Sequence, residues 1–327
     1  MRKSVFGTII ALAIVAVAPA RAEVSSVVIG IQNGVAYIPL QVVASQHLVE
    51  KRAKKLGITL TASVRNLGSA GLVRDALIAG QIQFGVAGPP TLVTMHDKTR
   101  GDIKAIGAVV SVPIYLNTTN KALKTVCDFK EGDKIALPTV KSSVQAVTLQ
   151  MATKKYCNDP FKADRFTVSM PHPDGYNALM SGMVSTHMTS PPFSYDELEQ
   201  GKGKVHLLLN SYDLLNAPGT LVYLLASQRF RDANPKVYQA VRAAFEEGEK
   251  FAREHPKEAA QIYVNFEHPK ESLADVVKEL GNGEIIYNST PIALGAYADF
   301  MYQIGTVKKR YTWQELSMPE LRSRKGS

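Results

Sequence analysis

The chain has 327 residues, of which 45% are hydrophobic, 20% charged and 8% aromatic, and its formal net charge is +9. This balance excludes a disordered chain, a collagen-like repeat and a multi-span membrane protein. The length suits two lobes of ordinary size, and the excess of Lys and Arg forms no basic stripe interleaved with aromatics, so nucleic acid is not an expected partner.

Arg2 and Lys3 precede an uncharged apolar run over residues 5–17, and Ala20-Arg21-Ala22 places small residues where a signal peptidase reads. Residues 1–22 are therefore expected to be a secretory signal peptide cleaved after Ala22, the run being short for a bilayer span. No Cys stands at the cleavage point, so the mature chain is expected free in a bacterial periplasm. That compartment permits a disulfide between the two cysteines, Cys127 and Cys157. Two isolated thiols cannot close a tetrahedral metal shell.

Residues 27–31 read as a buried strand, followed by a loop to Tyr37 and a helix opened by Pro39 that carries Leu40, Val43 and Leu48. Strands are predicted over 58–64, 83–87 and 103–110, with a helix over 70–79. A second series follows: strands over 134–137, 166–170 and 184–188, and helices over 142–155 and 174–180. Alternating strand and helix implies right-handed βαβ units and a largely parallel sheet. The last third is nearly all helix. Asn234-Pro235 reads as an N-cap and first helical position, His255-Pro256 restarts the pattern, and further helices are expected over 259–264, 273–280 and 292–304.

An internal repeat organises the chain. Ala76-Leu77, Gly80 and Pro89-Pro90 recur as Ala178-Leu179, Gly182 and Pro191-Pro192 at a single offset of 102 residues. A helix–Gly–strand–Pro-Pro block recurring in register predicts two lobes built from one α/β unit. In open α/β sheets, ligands sit beyond the carboxyl ends of the strands, so both Pro-Pro blocks are expected to line one cleft.

Candidate binding residues follow from that placement. Ser69, between Gly68 and Gly71 at a predicted helix start, and Ser142-Ser143 after Lys141 can hold an oxyanion through free N–H groups and hydroxyls. Gln32 and Asn33, at the end of the first strand, can offer amide groups. Tyr37, Tyr115, Tyr176 and Phe193 can form an amphipathic wall. Catalytic patterns are missing: the seven histidines never take metal-ligand spacing, and no H-E-x-x-H, G-x-S-x-G, P-loop or G-x-G-x-x-G occurs.

The segments IGIQNGVAYIPLQVVASQ (29–46), GLVRDALIAGQIQFGVAGPPTL (71–92), KIALPTVKSSVQAVTLQMA (134–152) and NPKVYQAVRAAFEEGEKFAREHPKEAAQIY (234–263) resemble the nitrate/sulfonate/taurine-type periplasmic substrate-binding proteins of ABC importers, a superfamily that includes thiamine-pyrimidine binders. The resemblance implies a two-lobe periplasmic binding protein fold (type II), each lobe a mainly parallel α/β sheet flanked by helices, with a cleft between them. Residues 23–112 and 222–327 would form lobe one and residues 113–221 lobe two, with crossings near 112–116 and 217–221. It further implies a monomeric carrier without a cofactor. Such a carrier captures a small anionic solute, sulfonate- or carboxylate-like, by lobe closure and delivers it to a membrane permease with its ATPase. By position in the matching motifs, Gln32, Ser69, Gly88 and Pro89, with Pro90 beside them, and Ser142, Ser143 and Ser190, followed by Pro191, are the implied solute contacts. Val140-Lys141 and His187-Met188-Thr189-Ser190 depart from the family's pattern and leave the solute open. Two competing readings are an enzyme on the same fold, acting on a pyrimidine or small organic acid, and a periplasmic sensor subunit.

Overall fold

The computed structural model describes residues 22–327; apart from Ala22, the expected signal peptide lies outside them. Two five-stranded sheets carry the chain. The first series is β1 (Ser26–Ile31), α1 (Ile38–Ser45), α2 (Leu48–Lys55), β2 (Thr61–Asn66), α3 (Ala70–Ile78), β3 (Phe84–Ala87), α4 (Pro89–Lys98) and β4 (Ile103–Ser111). The second is β5 (Tyr115–Thr118), β6 (Ile135–Leu137), α5 (Val144–Cys157), β7 (Thr167–Ser169), α6 (His172–Ser181), β8 (Thr186–Thr189), α7 (Phe193–Gln200), β9 (His206–Asn210) and α8 (Ser211–Leu215). The chain then returns through β10 (Thr220–Ser227) to α9 (Gln228–Ala233), α10 (Pro235–Glu254), α11 (Pro256–Glu267), α12 (Leu273–Leu280) and α13 (Leu294–Gln303).

The strand orders are β2-β1-β3-β10-β4 and β7-β6-β8-β5-β9, the same arrangement twice. β1 runs parallel to β2 and β3, as β6 does to β7 and β8. The sheets are mixed, because β10 and β5 each run against both their neighbours. These reversed strands belong to the two passages of the chain between the sheets. The repeat is structural: at the offset of 102, β3 maps onto β8 and α3 onto α6, all but its last residue.

Local chemistry explains most boundaries. Ile29, Ile31, Phe84 and Val86 are wholly buried, and β10 contributes Tyr223, Leu224 and Leu225 beside them, so the β-branched runs end up in the core they predicted. Ser69 caps α3 by accepting from Leu72 N at 3.3 Å, and Ser143 caps α5 by accepting from Ala146 N at 3.2 Å. Three readings change. The first helix is two, α1 and α2, broken at His47 with φ 51°, where the left-handed backbone re-aims the chain. The Pro89-Pro90 tip is the first turn of α4, a position where proline loses no helical hydrogen bond. Asn234 does not cap α10 with its side chain: its Oδ1 accepts from Val24 N at 3.0 Å, and the Glu23 carboxylate receives Lys236 N and Val237 N at 3.1 and 2.8 Å instead. A carboxylate at a helix start also suits the macrodipole.

Cys127 and Cys157 form a disulfide that ties the segment after β5 to the end of α5 across 30 residues. Closing a loop of that length restricts the unfolded chain by about 3–4 kcal/mol on the entropy model. Cys127→Ser/Cys157→Ser is accordingly expected to lower the unfolding free energy, read from urea denaturation, by about that amount. Equal stability of the variant and the oxidised protein would contradict it.

Candidate functional site

The two sheet-bearing halves meet along a seam of backbone and small side chains. Gly71 N donates to Thr139 Oγ1 at 3.3 Å, and Thr91 Oγ1 donates to the Ser142 carbonyl at 3.2 Å. Gly88 lies so close to α5 that a Cβ there would stand 2.8 Å from Val144 Cβ. Gly34 has φ 118°, which favours glycine, and a Cβ there would meet Pro191 O at 3.2 Å. A second set of contacts lies near the crossings: Tyr115 and Tyr195 both donate to the Glu284 carboxylate, the latter at 2.6 Å, while Tyr212 donates to the Glu284 carbonyl at 3.0 Å. The two Pro-Pro blocks thus end on the same seam.

A cavity of about 200 Å³ opens between the halves. The first half supplies Asn33, Tyr263, Glu267, Lys270 and Glu271, and the second supplies Tyr176, Phe193 and Asp196. Larger depressions lie elsewhere. One of about 630 Å³ sits at the outer end of β4, where Arg229 pairs with Asp102, and is walled by the first half alone.

The cavity's charges are set by how its walls are built. Glu267 ends α11, and its carboxylate accepts from Gly34 N at 3.0 and 3.1 Å and from Gln41 Nε2 at 2.8 Å. Burial nevertheless raises its pKa to about 7, against the pull of those donors. Asp196 is raised well above the carboxylate range by burial and by the facing Glu271 carboxyl. Behind them, burial and then Glu271 push Glu279 up to about 8. Lys270 Nζ lies 5.4 Å over the Tyr176 ring and donates to Asn177 Oδ1 at 3.2 Å, joining the halves. Phe193 stacks on His172 with centroids 5.7 Å apart. His172, hydrogen-bonded to Thr189 Oγ1 at 2.6 Å, is held neutral by burial, which takes its pKa down to about 3.

These shifts give a pH dependence with a definite sign. Glu267 and Glu279 bind protons more tightly folded than in the unfolded chain, where carboxyls titrate near 4.3. Their contribution is fully present below that pH and is lost as the pH rises through about 7 and 8. Glu279→Gln is expected to flatten the fall in Tm between pH 5 and pH 8 by several degrees, read by differential scanning fluorimetry. Parallel profiles for variant and wild type would contradict it.

Of the residues singled out from sequence, Asn33, Tyr176 and Phe193 line the cavity. Gln32 and Tyr37 are buried beneath the Gly34 loop. Ser69 and Ser143 accept helix N–H groups through Oγ, which leaves each O–H free to donate, Ser142 Oγ donates to Val140 O at 3.4 Å, and Lys141 is exposed with φ 62°. Gly88, Pro89 and Pro90 form the start of α4 at the seam, Ser190 and Pro191 are buried beside Gly34, and Tyr115 is bound to Glu284. Sequence reasoning passed over Tyr263, Glu267, Lys270, Glu271 and Asp196; the first four belong to the helical return segment, and nothing in its amphipathic pattern signals a site. Among the described residues no cluster of three or more His, Cys, Asp or Glu has metal-holding geometry.

A model of the family described as NMT1/THI5 like matches residues 40–259. No curated protein sequence matches the chain. Among solved structures it is similar to the alkanesulfonate-binding protein SsuA from Xanthomonas axonopodis pv. citri bound to MOPS, with 21% identity and a TM-score of 0.72 over 91% of this chain and 99% of that one. It is also similar to the periplasmic aliphatic sulphonate binding protein SsuA from Escherichia coli, with 22% identity and a TM-score of 0.64 over 90% and 99%. The periplasmic nitrate-binding protein NrtA from Synechocystis PCC 6803 aligns with 17% identity and a TM-score of 0.72 over 92% and 88%. At these identities the likeness establishes the fold.

Proposed function

The chain belongs to the NMT1/THI5-like family, and from that premise we propose that it is the solute-binding component of an ABC-type importer. It would act in the periplasm after loss of residues 1–22, as a monomer that captures a small organic solute and presents it to a permease and its ATPase. Lobe one would comprise residues 23–112 and 222–327, and lobe two residues 113–221. The observation that carries this reading is a cavity walled from both halves, at a seam where Gly34, Gly71 and Gly88 of the first half come close to Pro191, Thr139 and Val144 of the second. A solute contacting both walls stabilises the closed arrangement, and it shifts the equilibrium only by its differential affinity for that arrangement.

The relatives' printed names speak of sulfonate and nitrate, in line with the anionic solute expected from Lys141 and the serine-capped helix starts. In this chain those groups do not reach the cavity, and its walls are acidic. The enzyme reading gains no support from the named neighbours, which are binding proteins. Mass spectrometry of solute recovered from the purified protein tests the carrier reading. A bound molecule returned unchanged after prolonged incubation is expected, and its conversion to a product would contradict the reading.

A further inference from the structure

The cavity presents charge in an unusual way for the anion its sequence suggested. Asp196 comes from α7 of the second half and Glu271 from the segment between α11 and α12 of the first, and both line the cavity, where Glu271 adds to the burial that raises the Asp196 carboxyl. Bringing the halves together therefore apposes two acids, which repel when both are ionised. The backbone donor at the Gly34 loop, where an anion would be received, is already filled by Glu267.

The remaining wall is aromatic. Tyr176 and Phe193 flank the space from the second half, and Tyr263 closes it from the first. An ammonium is already seated on this surface: Lys270 Nζ lies over the face of Tyr176 and is held by Asn177. Aromatic faces attract cations, and the attraction strengthens as water is excluded.

We propose that this cavity takes a small solute with an ammonium or amidinium group attached to a flat apolar body, the cation lying between Asp196 and Glu271 and the ring against Tyr176 and Phe193. In the closed, empty protein Asp196 is held protonated beside Glu271, and the solute's positive charge takes the place of that proton, so binding and closure are coupled through the same two carboxyls. Lys270 is the internal competitor for the aromatic face. This assignment rests on the solute-binding reading and narrows it to a class.

Isothermal titration at pH 7 with benzylamine, benzyl alcohol and benzenesulfonate, which share a ring and differ in charge, tests it. Benzylamine is expected to bind at least tenfold more tightly than either of the others. Asp196→Asn/Glu271→Gln should weaken benzylamine at least tenfold while leaving benzyl alcohol within about threefold, and Lys270→Met should strengthen benzylamine several-fold by vacating Tyr176. Binding of benzenesulfonate as tight as that of benzylamine, or a double variant with unchanged benzylamine affinity, overturns the class and leaves the solute-binding reading standing. Failure of all three probes to bind, with no compaction in small-angle scattering, overturns both.

Discussion

Glu197→Leu is expected to remove about 3–5 kcal/mol of stability, because it strands two buried donors at once. Glu197 and His187 are both fully buried, with Nδ1 and Oε1 2.5 Å apart, and Asn117 Nδ2 donates to the other carboxylate oxygen at 2.9 Å. These bonds fasten α7 to β8 and β5. The same helix carries Phe193, one turn before Glu197, and Asp196, its chain neighbour, to the cavity, so the buried carboxylate positions the cavity one. Glu197→Gln keeps one acceptor oxygen and is expected to lose roughly half as much. Urea denaturation at pH 7 measures both; a loss below about 1 kcal/mol for the leucine variant would show that the pair contributes little beyond its own desolvation cost.

Gly88→Val is expected to weaken solute binding by at least about 30-fold, equivalent to about 2 kcal/mol, while changing the stability of the open protein far less. The backbone at Gly88 has φ −71°, which any residue adopts, so no conformational penalty arises. The cost is steric: an added Cβ would stand 2.8 Å from Val144 Cβ across the seam and 3.2 Å from the Leu221 carbonyl. Overpacking of that kind costs about 1–3 kcal/mol, and separating the halves relieves the contact with Val144. The variant should therefore populate the open arrangement, and its affinity falls by the competent fraction that remains. Titration calorimetry against the solute recovered from the wild type reads the effect. An affinity within about threefold of wild type would contradict the closed seam as the binding state.

The parts of the architecture legible in sequence were those that local chemistry dictates. Val27 to Ile31 and the Phe84 to Ala87 run are apolar enough to declare buried strands, and the duplicated Ala-Leu, Gly and Pro-Pro positions revealed the second sheet before any coordinate. What stayed hidden depends on distant partners. Asn234 looks like a cap, yet Glu23, more than two hundred residues away, takes that role because Val24 occupies the Asn234 oxygen. β10 carries no alternation because it is a central strand, between β3 and β4, buried on both faces. The cavity was the least legible feature. Glu267 meets Gly34 across 233 positions, and Glu271 meets Asp196 only because the helical return segment folds back over the seam. The residue types at the strand tips pointed to anion-friendly helix starts, whereas the cavity itself is lined by carboxylates that the return segment and α7 bring forward.

The central claim is that the two halves close on a solute held between them. Small-angle X-ray scattering of the mature protein, stripped of solute and then saturated with the molecule recovered from it, measures this directly. A decrease in the radius of gyration on saturation, absent in Gly88→Val, is the predicted result; identical scattering with and without bound solute would contradict it.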